Sequence, residues 1–303
     1  MAFTTTSNYA GKAAGFYISA ALNQANSLEY LTMMENVKYK SNIQKMAGSG
    51  LVQNATCDFI DAGTLALTEN VLTPKLLQIN LDLCKSTLLD SWEANQMRAG
   101  AGAPPPASFD DYVISYMGEI IANGVEESVW SGAAATAGQF EGFLTATTGA
   151  FAVDGTVNTS TATGAYTVLN IIDNLQQLSS DMAANISAVL RKEDLHIYMS
   201  PKTYAIYVSA VSTLGYVNAY NMNGDYAPVF EGYKIAVCNG MPNDQLVAAE
   251  KSNLFFGTDL LSDQTRIALM DMAALDGSDN MRLVARYSGG VQLGIGADIV
   301  HQS

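Results

Sequence analysis

"DLHIYMSPKTYAIYVSAV", Asp194 to Val211, decides the fold class because its period changes at one residue. Leu195 to Met199 form a nearly unbroken apolar run with the length of a buried strand. Ser200 then offers an N-cap hydroxyl, and Pro201 brings a φ already suited to the first helical position. Beyond it Tyr204, Tyr207, Val208 and Val211 share one helical face. A buried strand therefore feeds straight into a helix.

Strands dominate the chain downstream of this unit. "YKIAVC" (233–238) ends at Asn239-Gly240, "QLVAA" (245–249) and "NLFF" (253–256) are joined by Glu250 to Ser252, and "TRIALMDM" (265–272) alternates. "MRLVARY" (281–287) and "VQLGIG" (291–296) flank Ser288-Gly289-Gly290, which predicts a closing hairpin. Upstream, a helix is expected near Thr167, with Val168, Ile172, Leu175, Leu178 and Met182 on one face and a break near Ser179. Residues 131 to 165, poor in charge and rich in Ala, Gly and Thr, read as short strands and an exposed loop. A capping-box pair, Ser108 and Asp111, opens a long helix carrying Phe109, Tyr112, Val113, Tyr116, Met117, Ile120 and Ile121. If it runs to Trp130 it is roughly 33 Å long. Glu126-Glu127 reads as its solvent side, and Gly124 permits close approach of a neighbouring backbone. "MRAGAGAPPPASF" (97–109) is a Gly/Pro linker. Before it, "LQINLDL" (77–83) alternates as a half-buried strand, with "ATCDFI" (55–60) and "GTLALT" (63–68) as partners in a ribbon. Residues 1 to 50 have no apolar periodicity of their own and read as an arm. The class is α+β.

With 303 residues and 49% hydrophobic composition the chain can bury a sizeable core, and its length suggests about two subdomains. Twenty-nine acidic against fifteen basic residues give a net charge of −14, which repels phosphate backbones and anionic lipid. Three scattered cysteines, Cys57, Cys84 and Cys238, do not make a disulfide framework, and a reducing compartment fits them best. Only Lys12 precedes the apolar patch 13–22 and no cleavage site follows, so no secretory signal is expected. No apolar run approaches the ~20 residues of a membrane span.

Catalytic equipment is sparse. His196 lies in an apolar strand and His301 three residues from the end, too few for a His-rich metal site or a His-based triad. "AGKAAG" lacks the upstream glycine of a phosphate-binding loop, "GIGADI" follows no strand-to-helix pattern, and in "MAGSGLV" Ala47 replaces the first glycine of a nucleophile elbow. "DGSDN" (276–280) lacks the terminal Glu of a calcium loop. No catalytic, cofactor-binding or metal-binding residue is assigned, no cofactor is expected, and the chain reads as a non-enzyme.

The order of "RKEDLHIYMSPKTYAIYV", "YKIAVCNGMP", "SNLFFGTDLL" and the closing strands resembles that of tailed-bacteriophage major capsid proteins with the Hong Kong 97 coat fold. The resemblance runs along most of the chain and rests on order and spacing. It implies an N-terminal arm (1–54), an extended β-loop (55–107) lying over a neighbouring subunit, and a peripheral domain (108–164 and 263–303) carrying the long spine helix. The axial domain would take 165–262, with "NLFFGTD" at the seam. It implies an icosahedral shell of pentamers and hexamers that encloses double-stranded DNA without binding it specifically. The location implied is the virion, with assembly in the host cytoplasm. Family members also work with portal, scaffolding and decoration proteins, and this chain shows no charged helical scaffolding segment. A scaffold, if one is needed, is expected as a separate protein. An encapsulin-like nanocompartment is the alternative within the fold, and a soluble carboxylate-dependent hydrolase the alternative outside it. Because a ribbon has too few strands to cover its own apolar face, a neighbouring subunit is expected to cover "LQINLDL".

Overall fold

A computed structural model describes residues 26–55, 57, 61, 63–84, 107–190, 192–213, 229–259, 267–273, 277–278 and 280–303. The unit read first from the sequence is the centre of a six-stranded sheet. β6 (Leu195–Met199) runs parallel to β8 (Tyr233–Val237) and antiparallel to β9 (Leu246–Glu250). β7 (Val229–Phe230) closes one edge, while β13 (Val300–Gln302) and β5 (Asn158–Ser160) extend the other. β9 is buried throughout and β6 nearly so, which explains why they read as runs and not as alternations. Ser200 caps α4 (Pro201–Thr213) by accepting from Thr203 N at 3.2 Å.

α3 (Ile171–Asn185) and α4 cover one face, where Ile171, Leu175, Leu178 and Met182 pack with Ile197, Met199, Ile235, Leu246 and Val300. α3 starts later than expected because Asn170 Oδ1 accepts from Thr167 N at 2.7 Å, folding 167–170 into a turn that leaves Leu169 90% exposed. The helix passes through Ser179 without a break, its hydroxyl donating outward to Glu231 at 2.6 Å. Tyr198, Ala236, Val247 and Ala249 look the other way, into a second core with Trp130, Phe143, Leu254 and Phe256.

That second core is shared with a five-stranded sheet built on β12 (Asn280–Leu293), a single strand of 14 residues. β4 (Lys75–Cys84) pairs with its first ten residues, β11 (Ile267–Asp271) with Met281 to Ala285 on the other side, and β10 (Leu254–Gly257) with its last four. β1 (Thr32–Met34), preceded by a 3-10 turn over Asn26–Tyr30, runs parallel to β10 at the edge. The hairpin expected at Ser288-Gly289-Gly290 does not exist. Those glycines are inside the strand because neighbours approach both of them: a β-carbon on Gly289 would lie 2.9 Å from Phe140, and one on Gly290 3.0 Å from the Pro74 backbone. Gly289→Val is expected to lower the melting temperature by overpacking Phe140, at a cost of about 1–3 kcal/mol, with a calorimetric scan as the check. The reversal of direction occurs earlier, between β11 and β12, where Met272 N donates to Asn280 O.

α1 (Ala107–Ser131) is the long helix, starting at Ala107, and the capping-box side chains lie outside the described ones. The close backbone approach expected at Gly124 is not there: a β-carbon would meet only the Tyr287 hydroxyl, at an ordinary contact distance of 3.8 Å. The segment after α1 is an exposed loop over residues 134–138, and its one short strand is β5; the part between sends side chains into the core. Phe140, Phe143 and Phe151, the last in α2 (Ala150–Asp154), are buried around Trp130. Their spacing follows no regular period because turns, not a strand, deliver them.

The ribbon also differs from the sequence reading. Its two strands are β2 (Ser41–Ser49) and β3 (Thr64–Leu72), so the first strand falls within the expected arm. "ATCDFI" lies mostly outside the described residues, as do residues 1–25 and most of the Gly/Pro linker. "LQINLDL" does not belong to the ribbon: β4 pairs with β12 over ten residues, placing Leu77, Ile79, Leu81 and Leu83 opposite the buried Tyr287, Ala285, Leu283 and Met281. The apolar row of β4 thus lies beside a buried row of the chain's own sheet, with Leu77 buried and Ile79, Leu81 and Leu83 half-buried in the single subunit. β5 and β13, expected in the peripheral segments, pair into the six-stranded sheet.

Candidate assembly surface and a buried carboxylate

The ribbon is fixed at its root and unsupported beyond it. Leu72 is fully buried, packed so closely on Gly257 that a β-carbon there would overlap it. Asn70 Nδ2 lies within hydrogen-bond reach of Leu293 O at 3.0 Å, Gly294 O at 3.2 Å and Asp154 Oδ2 at 3.1 Å, and Gln292 Nε2 donates to Val71 O at 3.0 Å. Past this anchor the register sets Met46 opposite Leu67 and Gly48 opposite Leu65 on one face. Met46, Leu65 and Leu67 are each more than 60% exposed, and Leu51 and Val52 follow in the connecting loop. An isolated two-stranded ribbon is marginal in water, and clustered exposed side chains of this size mark a surface made for contact.

Glu126 is the largest departure from the sequence reading. Expected on the solvent side, it is fully buried, whereas Glu127 is exposed. Its Oε2 accepts from Ser27 N at 3.1 Å, and its Oε1 accepts from Gly240 N at 3.0 Å and from the Ser27 hydroxyl. Trp130 Nε1 donates to the same Ser27 oxygen at 2.7 Å. A buried carboxylate needs such donors to offset its lost hydration. The signal was its spacing: Glu126 is four residues before Trp130, hence on the inward face.

The titratable groups singled out in the sequence do not meet in a catalytic arrangement. His196 Nδ1 lies 2.7 Å from Asp194 O and its ring sits beside Tyr30 and Tyr198. His301 packs on Phe151, with Nε2 3.4 Å from Gln245 Oε1. Burial lowers the pKa of both below the usual histidine value, so both rings are neutral at neutral pH. Cys238 is buried, and desolvation pushes its thiol up to about 12. Among the described residues no group of three or more His, Cys, Asp or Glu could hold a metal ion, and no helix is long and apolar enough to cross a membrane.

No family model and no curated protein matches the sequence. Solved structures do match along nearly the whole chain. The capsid of Myoviridae phage XM1 superposes with a TM-score of 0.64 at 10% identity, covering 99% of this chain and 98% of that one. The capsid of the native GTA particle gives 0.62 at 14% identity, covering 100% and 95%. A chain from Gordonia phage Cozz gives 0.60 at 11% identity, covering 97% and 90%. The order of elements read from the sequence and the extent of these superpositions agree: the chain has the Hong Kong 97-type coat fold of phage capsid proteins.

Proposed function

We propose that this protein is the major capsid protein of a tailed bacteriophage, a structural subunit without enzymatic activity that assembles into an icosahedral shell around double-stranded DNA. The observation that carries the proposal is the near-full-length superposition, in both directions, on phage capsid chains. On this reading the arm precedes the ribbon, and the extended loop, expected at 55–107, takes in β2 and lies over a neighbouring subunit. α1 is the spine of the peripheral domain, and the six-stranded sheet with α3 and α4 is the axial domain, joined there by β5 and β13. The net charge of −14 suits a wall that confines DNA without gripping its phosphates. The copies then associate through apolar and backbone contacts, with portal, scaffolding or decoration proteins as further partners. Assembly takes place in the host cytoplasm and the protein ends in the virion.

Negative-stain microscopy of the expressed protein, with nucleic-acid content measured on the particles, tests this. Closed shells or their pentameric and hexameric units are expected. Particles filled with protein cargo would favour the nanocompartment alternative, and a monodisperse monomer under all assembly conditions would overturn the shell.

A further inference from the structure

The segment 26–34 is seated on the body of the chain by a few apolar contacts and a set of polar bonds. Leu31 is its one side chain sunk deep into the core, at 2% exposure. β1 contributes a pairing of only three residues, parallel and at a sheet edge. Leu28 and Tyr30 pack against the same core, Tyr30 edge-on to Tyr198, and hydrogen bonds add to this: Asn26 Nδ2 donates to Val237 O at 2.7 Å, Asn239 N donates to Asn26 Oδ1 at 3.0 Å, Tyr198 hydroxyl donates to Tyr30 O at 2.8 Å, and Thr32 hydroxyl donates to Lys251 O at 2.9 Å. At its centre is Glu126, which touches all three parts: the segment through Ser27, α1 on which it stands, and the turn after β8 through Gly240.

We infer that Glu126 is a conformational clasp: its buried carboxylate holds segment 26–34, α1 and the exit of β8 together as one body, and loss of that carboxylate frees the segment while both cores stay folded. Each partner is a donor. The Ser27 hydroxyl accepts from Trp130 and so directs its own proton to Glu126, and the Ser27 and Gly240 amides both donate to the same carboxylate. Only a group that accepts at both oxygens closes this arrangement. Glutamine, of the same shape, turns an amide N–H₂ toward one set of donors, and aspartate is one methylene too short. The turn cannot move in to compensate, because Gly240 already lies against the α1 backbone, where a β-carbon would overlap the Glu126 carbonyl. The clasp is internal to one subunit, and its test does not depend on shell formation.

Hydrogen exchange of the full-length, unassembled subunit decides the matter. In Glu126→Gln, amides 27–34 are expected to exchange about tenfold faster or more, the loss expected for a charge-assisted hydrogen bond, while those of β6, β9 and α3 keep their wild-type rates. Unchanged exchange at 27–34, or an equal acceleration throughout β6 and β9, would overturn the inference. Ser27→Ala provides a second arm should the first variant fail to fold. It leaves the Glu126 to Gly240 bond in place, so amides 27–34 should loosen while the Gly240 amide stays protected. Wild-type protection of 27–34 in this variant also counts against the clasp.

Discussion

If the chain assembles as proposed, replacing Leu65 and Leu67 of β3 by aspartate is expected to abolish particle formation while shifting the subunit's melting temperature by no more than about 1–2 °C, because both positions are exposed. Both side chains are more than 60% exposed, on a ribbon anchored at its root by Asn70 and by Gln292. They therefore contribute little to the subunit's own stability. In an assembled shell the same side chains would be buried, each worth about 1.5–3 kcal/mol, and symmetry repeats the loss at every equivalent contact. Sedimentation of the assembly mixture and calorimetry of the subunit are the paired measurements. Normal particles from the double variant would mean that the ribbon is not an assembly surface.

The same pair of substitutions a few residues further on has the opposite signature. Ile79→Asp with Leu81→Asp is expected to lower the melting temperature of the isolated subunit by roughly 10 °C, because it removes apolar contacts from the chain's own sheet and puts charge beside them. Leu81 pairs directly with the fully buried Leu283, and Ile79 with the buried Ala285. Assembly fails here too, but as a consequence of the damaged subunit. If the melting temperature were unchanged and only assembly were lost, the β4 face would belong to an interface between subunits after all.

Little of the assembly surface was legible in the sequence, and the reason is visible in two strands. "GTLALT" was recognised as ribbon, but its partner β2, "SNIQKMAGS", carries few apolar residues and no alternation, so it merged into the arm. Because Ser41, Ile43 and Lys45 are no more than half-buried within the subunit, β2 is under little pressure to display a buried apolar period. Glu126 was misplaced for the converse reason. A doublet of glutamates looks like a solvated helix face, and what makes one of them an interior group is supplied by Ser27 and Gly240, residues 99 and 114 positions away.

Local chemistry by itself determined the elements whose signals are short-ranged: the strand Leu195–Met199, the Ser200-Pro201 start of α4, the alternation of β4 and the helical spacing that becomes α1. Steric preference at a cap and the period of burial act over a few residues, so they are written where they operate. Tertiary structure decided everything that depended on what lay across the gap. Ser288-Gly289-Gly290 had the composition of a turn, yet Phe140 and Pro74 need the space above and below those glycines, and the strand continues through them. Phe140, Phe143 and Phe151 looked like loop residues until Trp130 gave them a core to enter. β4 chose β12 over its neighbour in sequence because ten paired residues opposite a buried apolar row outweigh the short loop closure that a local ribbon would have saved.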